Sequence, residues 1–224
     1  MSVHLHTEIE RLKKQVLSLS ALVEDSLYRA VKSLRERDAA LARSVIETDT
    51  EIDLREVDIE EECQKVLALH QPVANDLRFI IAVLKLNTEL ERIGDGTVNI
   101  AERVLFLVDE EPLDIPFDFA GMAHKAQQML HNSLDALIDQ DLLKAYAVIA
   151  ADDEVDAINR QMYKQVEEGI RSNPERVDSY IHLLGISRHI ERIADHASNI
   201  AEDVIYLVEG KIVRHRTEEF KHKA

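Results

Sequence analysis

The chain has 224 residues, a formal net charge of −16 and a single cysteine, Cys63. Such a surplus of negative charge repels nucleic acid and anionic lipid, so neither is expected as a principal partner. One cysteine excludes an internal disulfide framework, and the longest uncharged apolar run, Phe79 to Leu84, is too short to cross a bilayer. Because no signal peptide opens the sequence, we expect a cytoplasmic protein without a transmembrane segment.

The composition and the apolar spacing predict an all-α protein. Gly and Pro are few, with 6 and 4 residues, and apolar residues recur at helical intervals. In chain order, helices are predicted over 8–36, from an N-cap at Asp38 to 69, and from just after Asn75-Asp76 to about 108. The prolines of "DEEPLDIPFDF" then indicate a linker. Three more helices should follow, ending near 138, 171 and 208, with breaks at 139–141 and at "SNPERV".

The second half of the chain repeats the first. "ERIGDGTVNIAERVLFLVDE", from Glu91, and "ERIADHASNIAEDVIYLVEG", from Glu191, are identical at 11 of 20 positions. Earlier in each half the offset is 103, which matches "DTEID" with "DDEVD" and Asp38 with Asp141. A repeat of this kind predicts two homologous three-helix bundles in tandem, over 1–111 and 112–224, the second with a short basic tail.

Acidic residues four apart, which lie on one face of a helix, mark the same places in both halves. The pairs are Asp49 and Asp53, Glu91 and Asp95, Asp152 and Asp156, and Glu191 and Asp195. In each half, one pair precedes the turn between the second and third helices by about 20 residues and the other follows it by about 20. Antiparallel helices therefore place both pairs at similar heights, on a face opposite the apolar stripe of Ile93 and Ile100.

Four clustered carboxylates repel one another unless a cation is bound. Oxygen ligands suit hard or borderline ions such as Mg, Mn, Ca or iron. Two alternatives stay open. A carboxylate-bridged metalloenzyme would direct Glu-x-x-His pairs into the bundle core, but the sequence has that spacing only at Glu219 and His222. In the other alternative, the protein is a purely structural helical adaptor whose acidic faces are solvated.

The runs "HQPVANDLRFIIAVLKLNTELERIGDGTVNIAERV" and "SRHIERIADHASNIAEDVIYLVEGKIVRH" closely resemble the PhoU family, the accessory regulators of bacterial high-affinity phosphate transport. The resemblance covers nearly the whole chain and implies a pair of three-helix bundles. It also implies metal clusters, with iron, zinc, manganese or magnesium as candidate ions. The family's Glu/Asp-x-x-x-Asp motifs fall here on Asp49, Asp53, Glu91, Asp95, Asp152, Asp156, Glu191 and Asp195.

The same resemblance implies a regulatory function and no enzymatic activity. It predicts negative regulation of phosphate uptake and of phosphate-starvation signalling, through the ATPase subunit of a phosphate ABC transporter and a phosphate-sensing histidine kinase. The protein would then lie at the inner face of the membrane through these partners. A second apolar stripe could support a homodimer, and its residues are Leu77, Ile81, Leu84, Val177, Ile181 and Leu184.

The sequence does not assign a single role to several polar residues in and around the repeated motif. Asn99 and Asn199 lie eight residues after Glu91 and Glu191, where a site ligand and an interhelical hydrogen bond are both reasonable. The remaining four are interpreted as surface or packing residues, namely Arg92, Arg192, His189 and His196.

Overall fold

The computed structural model describes residues 3–113 and 117–213. Within these ranges the protein consists of helices and contains no strand. The helices are α1 (Val3–Glu36), α2 (Ala39–His70), α3 (Ala74–Asp109), α4 (Phe119–Asp139), α5 (Leu142–Ser172) and α6 (Val177–Glu209), with a 3-10 turn at Pro174–Arg176 before α6. The prediction of an all-α fold with two homologous three-helix bundles is confirmed, whereas the exact domain limits, 1–111 and 112–224, stay a prediction.

Equivalent residues begin the second helix of each bundle. Oδ1 of Asp38 accepts hydrogen bonds from the backbone N–H groups of residues 40 and 41, both at 2.9 Å. Oδ1 of Asp141 accepts from residues 143 and 144, at 2.9 and 3.2 Å. The residues just before them, Arg37 and Gln140, both adopt left-handed backbone conformations, with φ of 52° and 53°. Each bundle therefore turns from its first helix into its second by the same local device.

Each bundle packs its three helices around an apolar stripe, and one core is continuous through both bundles. Leu12 and Leu19 of α1, Ile52 of α2 and Leu90 of α3 are among its fully buried side chains, and Leu130 of α4 extends the same core into the second half. Each such side chain contributes about 1.5–3 kcal/mol of hydrophobic free energy. None of the helices in the described ranges combines the length and apolar composition that a bilayer span needs.

The two bundles meet mainly along α3 and α6, which run antiparallel. Three contacts define the pairing: Lys85 reaches Asp203 at 2.8 Å, Glu89 reaches His196 at 2.6 Å, and Phe106 stacks on His182 with ring centroids 3.9 Å apart. Residue numbers thus rise along α3 as they fall along α6. We call this contact the seam. Because the two helices repeat each other at an offset of 100, the seam has approximate two-fold symmetry.

The predicted second apolar stripe remains partly accessible. Leu77, Leu84, Val177 and Leu184 are half-buried, and Ile181 is 51% exposed. Apolar surface at this level is common on monomeric proteins as well as at subunit contacts. The homodimer therefore stays a prediction.

Candidate functional site

The four carboxylates predicted for the first bundle lie close together along the groove between α2 and α3. Asp49 is level with Gly94, since a Cβ atom added to this glycine would lie 3.6 Å from Oδ1 of Asp49. The charges of Asp53 and Asp95 both act on Asp49, and the same two act on Glu91. Antiparallel pairing of the helices thus brings the two acidic pairs together, as the sequence predicted.

A buried polar contact fixes the height of the third helix against the second in each bundle. Nδ2 of Asn87 donates to the carbonyl oxygen of Glu56 at 2.8 Å and to its Oε1 at 3.0 Å. At the equivalent positions of the second bundle, Oγ of Ser187 donates to Oδ1 of Asn159 at 2.6 Å. A register error between these helices would leave these buried groups unpaired, which is costly.

The second bundle gathers its four carboxylates in the same way, between α5 and α6. Asp156 and Glu191 act electrostatically on Asp152, and all three act on Asp195. A cavity of about 370 Å³ opens beside them, and Asp152, Asp195 and Glu202 are among the residues that line it. The cavity is large enough for a hydrated ion and its water ligands.

Crowding and burial disfavour the ionised forms in both groups. Burial, with the charges of Asp53 and Asp95 added, raises the pKa of Asp49 to about 6. Burial and neighbouring carboxylates likewise raise the pKa of Asp152 to about 6 and of Asp195 to about 7. The pKa values of Glu91 and Glu191 are raised for the same reasons. A bound cation would offset this repulsion and restore the ionised forms.

The two carboxylate groups have ligand atoms that suit a metal ion, but their side chains are not yet close enough to hold one. Oδ1 of Asp49 is buried, and no described residue donates a hydrogen bond to it, so an acceptor is left for a cation. The ligand atoms in each group are carboxylate oxygens, which suit Mg²⁺, Mn²⁺ or iron. Across residues 3–113 and 117–213, however, no three His, Cys, Asp or Glu side chains converge closely enough to hold an ion as they stand. Loading would require rotamer changes, for which the exposed Asp53, Asp95 and Asp195 have room.

Sequence reasoning missed the polar contacts of the seam. Glu89 is buried, and its Oε2 accepts hydrogen bonds from Nδ1 of His196 at 2.6 Å and Nδ2 of Asn199 at 3.1 Å. Burial opposes the charge of Glu89, but these hydrogen bonds outweigh it and lower its pKa. A carboxylate that is ionised can only accept, so the proton between Glu89 and His196 resides on Nδ1.

The seam is strongly asymmetric. Its closed half contains Lys85, Glu89, His196, Asn199 and Asp203, which form charged hydrogen bonds across the two helices. Its open half consists of the equivalent residues in the other repeat, namely Gly185, His189, Gly96, Asn99 and Arg103. One signal in the sequence could have revealed this: the repeats agree at the carboxylates but differ at 85, 89, 96 and 103.

Asn99 and Asn199 occupy equivalent positions but have different roles. Nδ2 of Asn99 donates to the backbone carbonyl of Asp95 within its own helix, at 2.7 Å. Asn199 instead crosses the seam to Glu89. Arg92 also contacts Glu89, at 3.3 Å. The interhelical interpretation is therefore correct for Asn199, and His196 is a bridging residue where packing or surface had been expected.

The cysteine has no reactive environment. Cys63 is buried in α2, and burial, together with the charges of Glu62 and Glu60, raises the pKa of its thiol to about 12. At neutral pH it therefore remains a thiol, which is neither a good nucleophile nor a good metal ligand.

Comparison with known proteins matches the PhoU domain model to residues 16–104 and again to 119–204, one match for each bundle. The "Phosphate-specific transport system accessory protein PhoU homolog" of Aquifex aeolicus is 41% identical over 212 residues, which cover 95% of this chain and 96% of that protein. The Escherichia coli "Phosphate-specific transport system accessory protein PhoU" is 33% identical over 217 residues, covering 96% and 89%.

Solved structures agree with the sequence comparison. The crystal structure of PhoU from Pseudomonas aeruginosa has a TM-score of 0.87 and 34% identity to this chain, with 92% of this chain and 99% of that one covered. The phosphate transport system regulatory protein PhoU from Streptococcus pneumoniae has a TM-score of 0.83 and 29% identity, with 93% and 99% covered. Two domain matches, full-length relatives and a shared fold lead to one conclusion: this chain belongs to the PhoU family.

Proposed function

We propose that this protein is an accessory protein of a phosphate transport system, and that it restrains phosphate uptake and phosphate-starvation signalling when phosphate is plentiful. The observation that carries the proposal is the match over nearly the whole chain to relatives named as phosphate-specific transport system accessory proteins. The buried, unreactive Cys63 is consistent with a regulatory role in place of a catalytic one.

Contact is proposed with the ATPase subunit of the transporter and with the sensor histidine kinase, from the cytoplasmic side of the membrane. A net charge of −16 favours basic patches on these partners, because opposite potentials accelerate encounter and orient the complex. Such association should weaken as the salt concentration rises. The partners, not a segment of this chain, would hold the protein at the membrane.

Deletion of the gene tests the regulatory proposal in the cell. If the protein restrains signalling, the deletion strain should express phosphate-starvation genes in phosphate-rich medium, since the target has lost its inhibitor. Complementation with the intact chain should restore repression. Normal repression in the deletion strain, together with a purified protein that captures neither transporter nor kinase at low salt, would refute the proposal.

We propose in addition that the two groups of carboxylates bind metal ions, one site or cluster in each bundle. Support comes from the proximity of Asp49, Asp53, Glu91 and Asp95, from that of their four equivalents, and from the buried Oδ1 of Asp49. Iron, zinc, manganese and magnesium are the candidates. A bound ion would fix the second helix against the third in each bundle and neutralise an acidic surface that a partner could contact.

Elemental analysis of protein purified without chelators tests the metal proposal. The double substitution Asp95→Asn and Asp195→Asn should remove most of the metal and leave the helical circular dichroism unchanged, because both residues are exposed and the new side chains are isosteric. The matched control is Asp58→Asn with Asp109→Asn, which removes the same charge from exposed positions outside the groups. Equal metal content in both double variants would show that other residues bind the ions.

A further inference from the structure

The open half of the seam contains a small cavity beside Gly96. In the closed half the ring of His196 fills the space between α3 and α6 and reaches Glu89. The equivalent of His196 is Gly96, which has no side chain to fill that space. A cavity of about 120 Å³ remains there, well below the roughly 300 Å³ at which sites for drug-sized ligands begin. Its size suits a small ion.

Both arginines of the repeated Glu-Arg-Ile motif line this one cavity. Arg92 and Arg192 are 100 residues apart in sequence, yet the antiparallel seam brings both to its wall. The other polar residues of the lining are Asp95, Asn99, His189 and His196. The two-fold symmetry of the seam thus gathers two guanidinium groups, two imidazole rings, one amide and one carboxylate around a single space.

The two arginines of the cavity differ in their partners. Arg92 has a partner in Glu89, but Arg192 forms no ion pair with any carboxylate among the described residues. Arg192 thus lines the cavity without a carboxylate partner, and an anion in the cavity would supply one.

We propose that the cavity binds one inorganic phosphate ion, held between Arg92 and Arg192. Guanidinium groups present paired N–H donors that match the oxygen atoms of phosphate, and Asn99 and His189 add polar groups to the lining. The inference deepens the proposed function, on which it rests only for the biological role of the ion. The chemistry of the site is independent of that role.

The carboxylate of Asp95 distinguishes phosphate from other oxyanions. At neutral pH phosphate retains at least one proton, which a carboxylate can accept as a hydrogen bond. Sulfate has no such proton and would be repelled by Asp95. The site should therefore prefer phosphate to sulfate.

Calorimetric titration of the full-length protein, with its metal removed by a chelator, tests the proposal with inorganic phosphate as the probe. We expect one site per chain, and a loss of affinity of about tenfold or more in Arg192→Gln. Arg188→Gln is the matched control, because Arg188 is an exposed arginine on the same helix that does not line the cavity. An equal loss in both variants would show only general attraction of anions, and no phosphate binding at all would overturn the site.

Two further titrations define the ligand. Sulfate should bind the unmodified protein at least tenfold more weakly than phosphate, and Asp95→Asn should remove most of this difference. O-phosphoserine, which represents an esterified phosphate on a partner, should also bind more weakly, because its substituent must fit in the same 120 Å³. Equal binding of the ester or of sulfate would overturn the assignment to free phosphate. Because the protein is metal-free and no partner is present, these results do not depend on whether the metal and regulatory proposals hold.

Discussion

The two halves of the seam are built from the same repeat, yet they differ in their chemistry. In the closed half, Glu89 and Asp203 of opposite helices pair with His196 and Lys85 and are buried. In the open half, the equivalent of Glu89 is a histidine, His189, surrounded by arginines. The carboxylate groups outside the seam show no such divergence. The comparison indicates that charged hydrogen bonds hold the two bundles together in the closed half, whereas the open half joins them through the Phe106–His182 stack and leaves a cavity beside Gly96.

The largest expected effect comes from removing the buried carboxylate of the closed half. Glu89→Ala should lower the free energy of unfolding by about 3 kcal/mol, because it leaves His196 and Asn199 without their shared partner. His189→Ala, the equivalent change in the open half, should cost less than about 1 kcal/mol. Urea denaturation measures both. Equal losses would mean that the open half also stabilises the seam.

Single substitutions should separate the two metal sites. Asp95→Asn and Asp195→Asn are each expected to weaken metal binding in their own bundle about tenfold or more, a change of ~1.4 kcal/mol, while the other bundle keeps its ion. Elemental analysis at limiting metal would then give about half the content of the unmodified protein for either variant. A loss of all metal from one substitution would instead indicate a single shared site.

The helix caps should behave alike in both bundles. Asp38→Ala and Asp141→Ala each remove an acceptor for two backbone N–H groups, so each should cost about 1 kcal/mol of stability. Thermal unfolding followed by circular dichroism measures the change, with Asp38→Asn and Asp141→Asn as controls that keep the cap. A difference between the two bundles would show that their second helices are not equally dependent on the cap.

The smallest expected effect is a pH dependence of the metal-free protein. The pKa values of Asp49, Asp152 and Asp195 are raised in the folded state, so the folded protein binds more protons than the unfolded chain between about pH 4 and 7. These groups therefore favour folding below this window, and their contribution is lost as the pH rises through about 6 to 7.

These carboxyl groups should accordingly make the melting temperature of the metal-free protein higher at pH 5.5 than at pH 7.5. The substitution Asp195→Asn should reduce this difference. Solvent screening of partly exposed carboxylates keeps the effect small. Added Mn²⁺ should reduce it further by favouring the ionised forms. A difference that is unchanged by both the substitution and the metal would trace the pH dependence to other groups.

Much of the fold was encoded locally. The 3.6-residue period of the apolar residues predicted the helices, and Asp38 marked the start of one of them, because capping depends on neighbouring residues. The predicted ends of α3 and α4 lie within one residue of the observed ends, Asp109 and Asp139. The prediction that Asp49 and Asp95 meet also followed from the sequence, since the length of a helical hairpin fixes which residues lie level with each other.

What only the tertiary structure decided is which face of α3 meets which face of α6. The sequence shows that Glu89 and His196 differ from their equivalents, but a contact between residues 107 positions apart depends on how two amphipathic bundles pack, and several packings bury similar apolar area. The same packing brings Arg92 and Arg192 to one cavity and leaves Gly96 opposite Ile193. Hydrophobic burial is non-directional, so the sequence pattern determined the bundles, and the directional hydrogen bonds of Glu89 and Lys85 distinguish this seam from its alternatives.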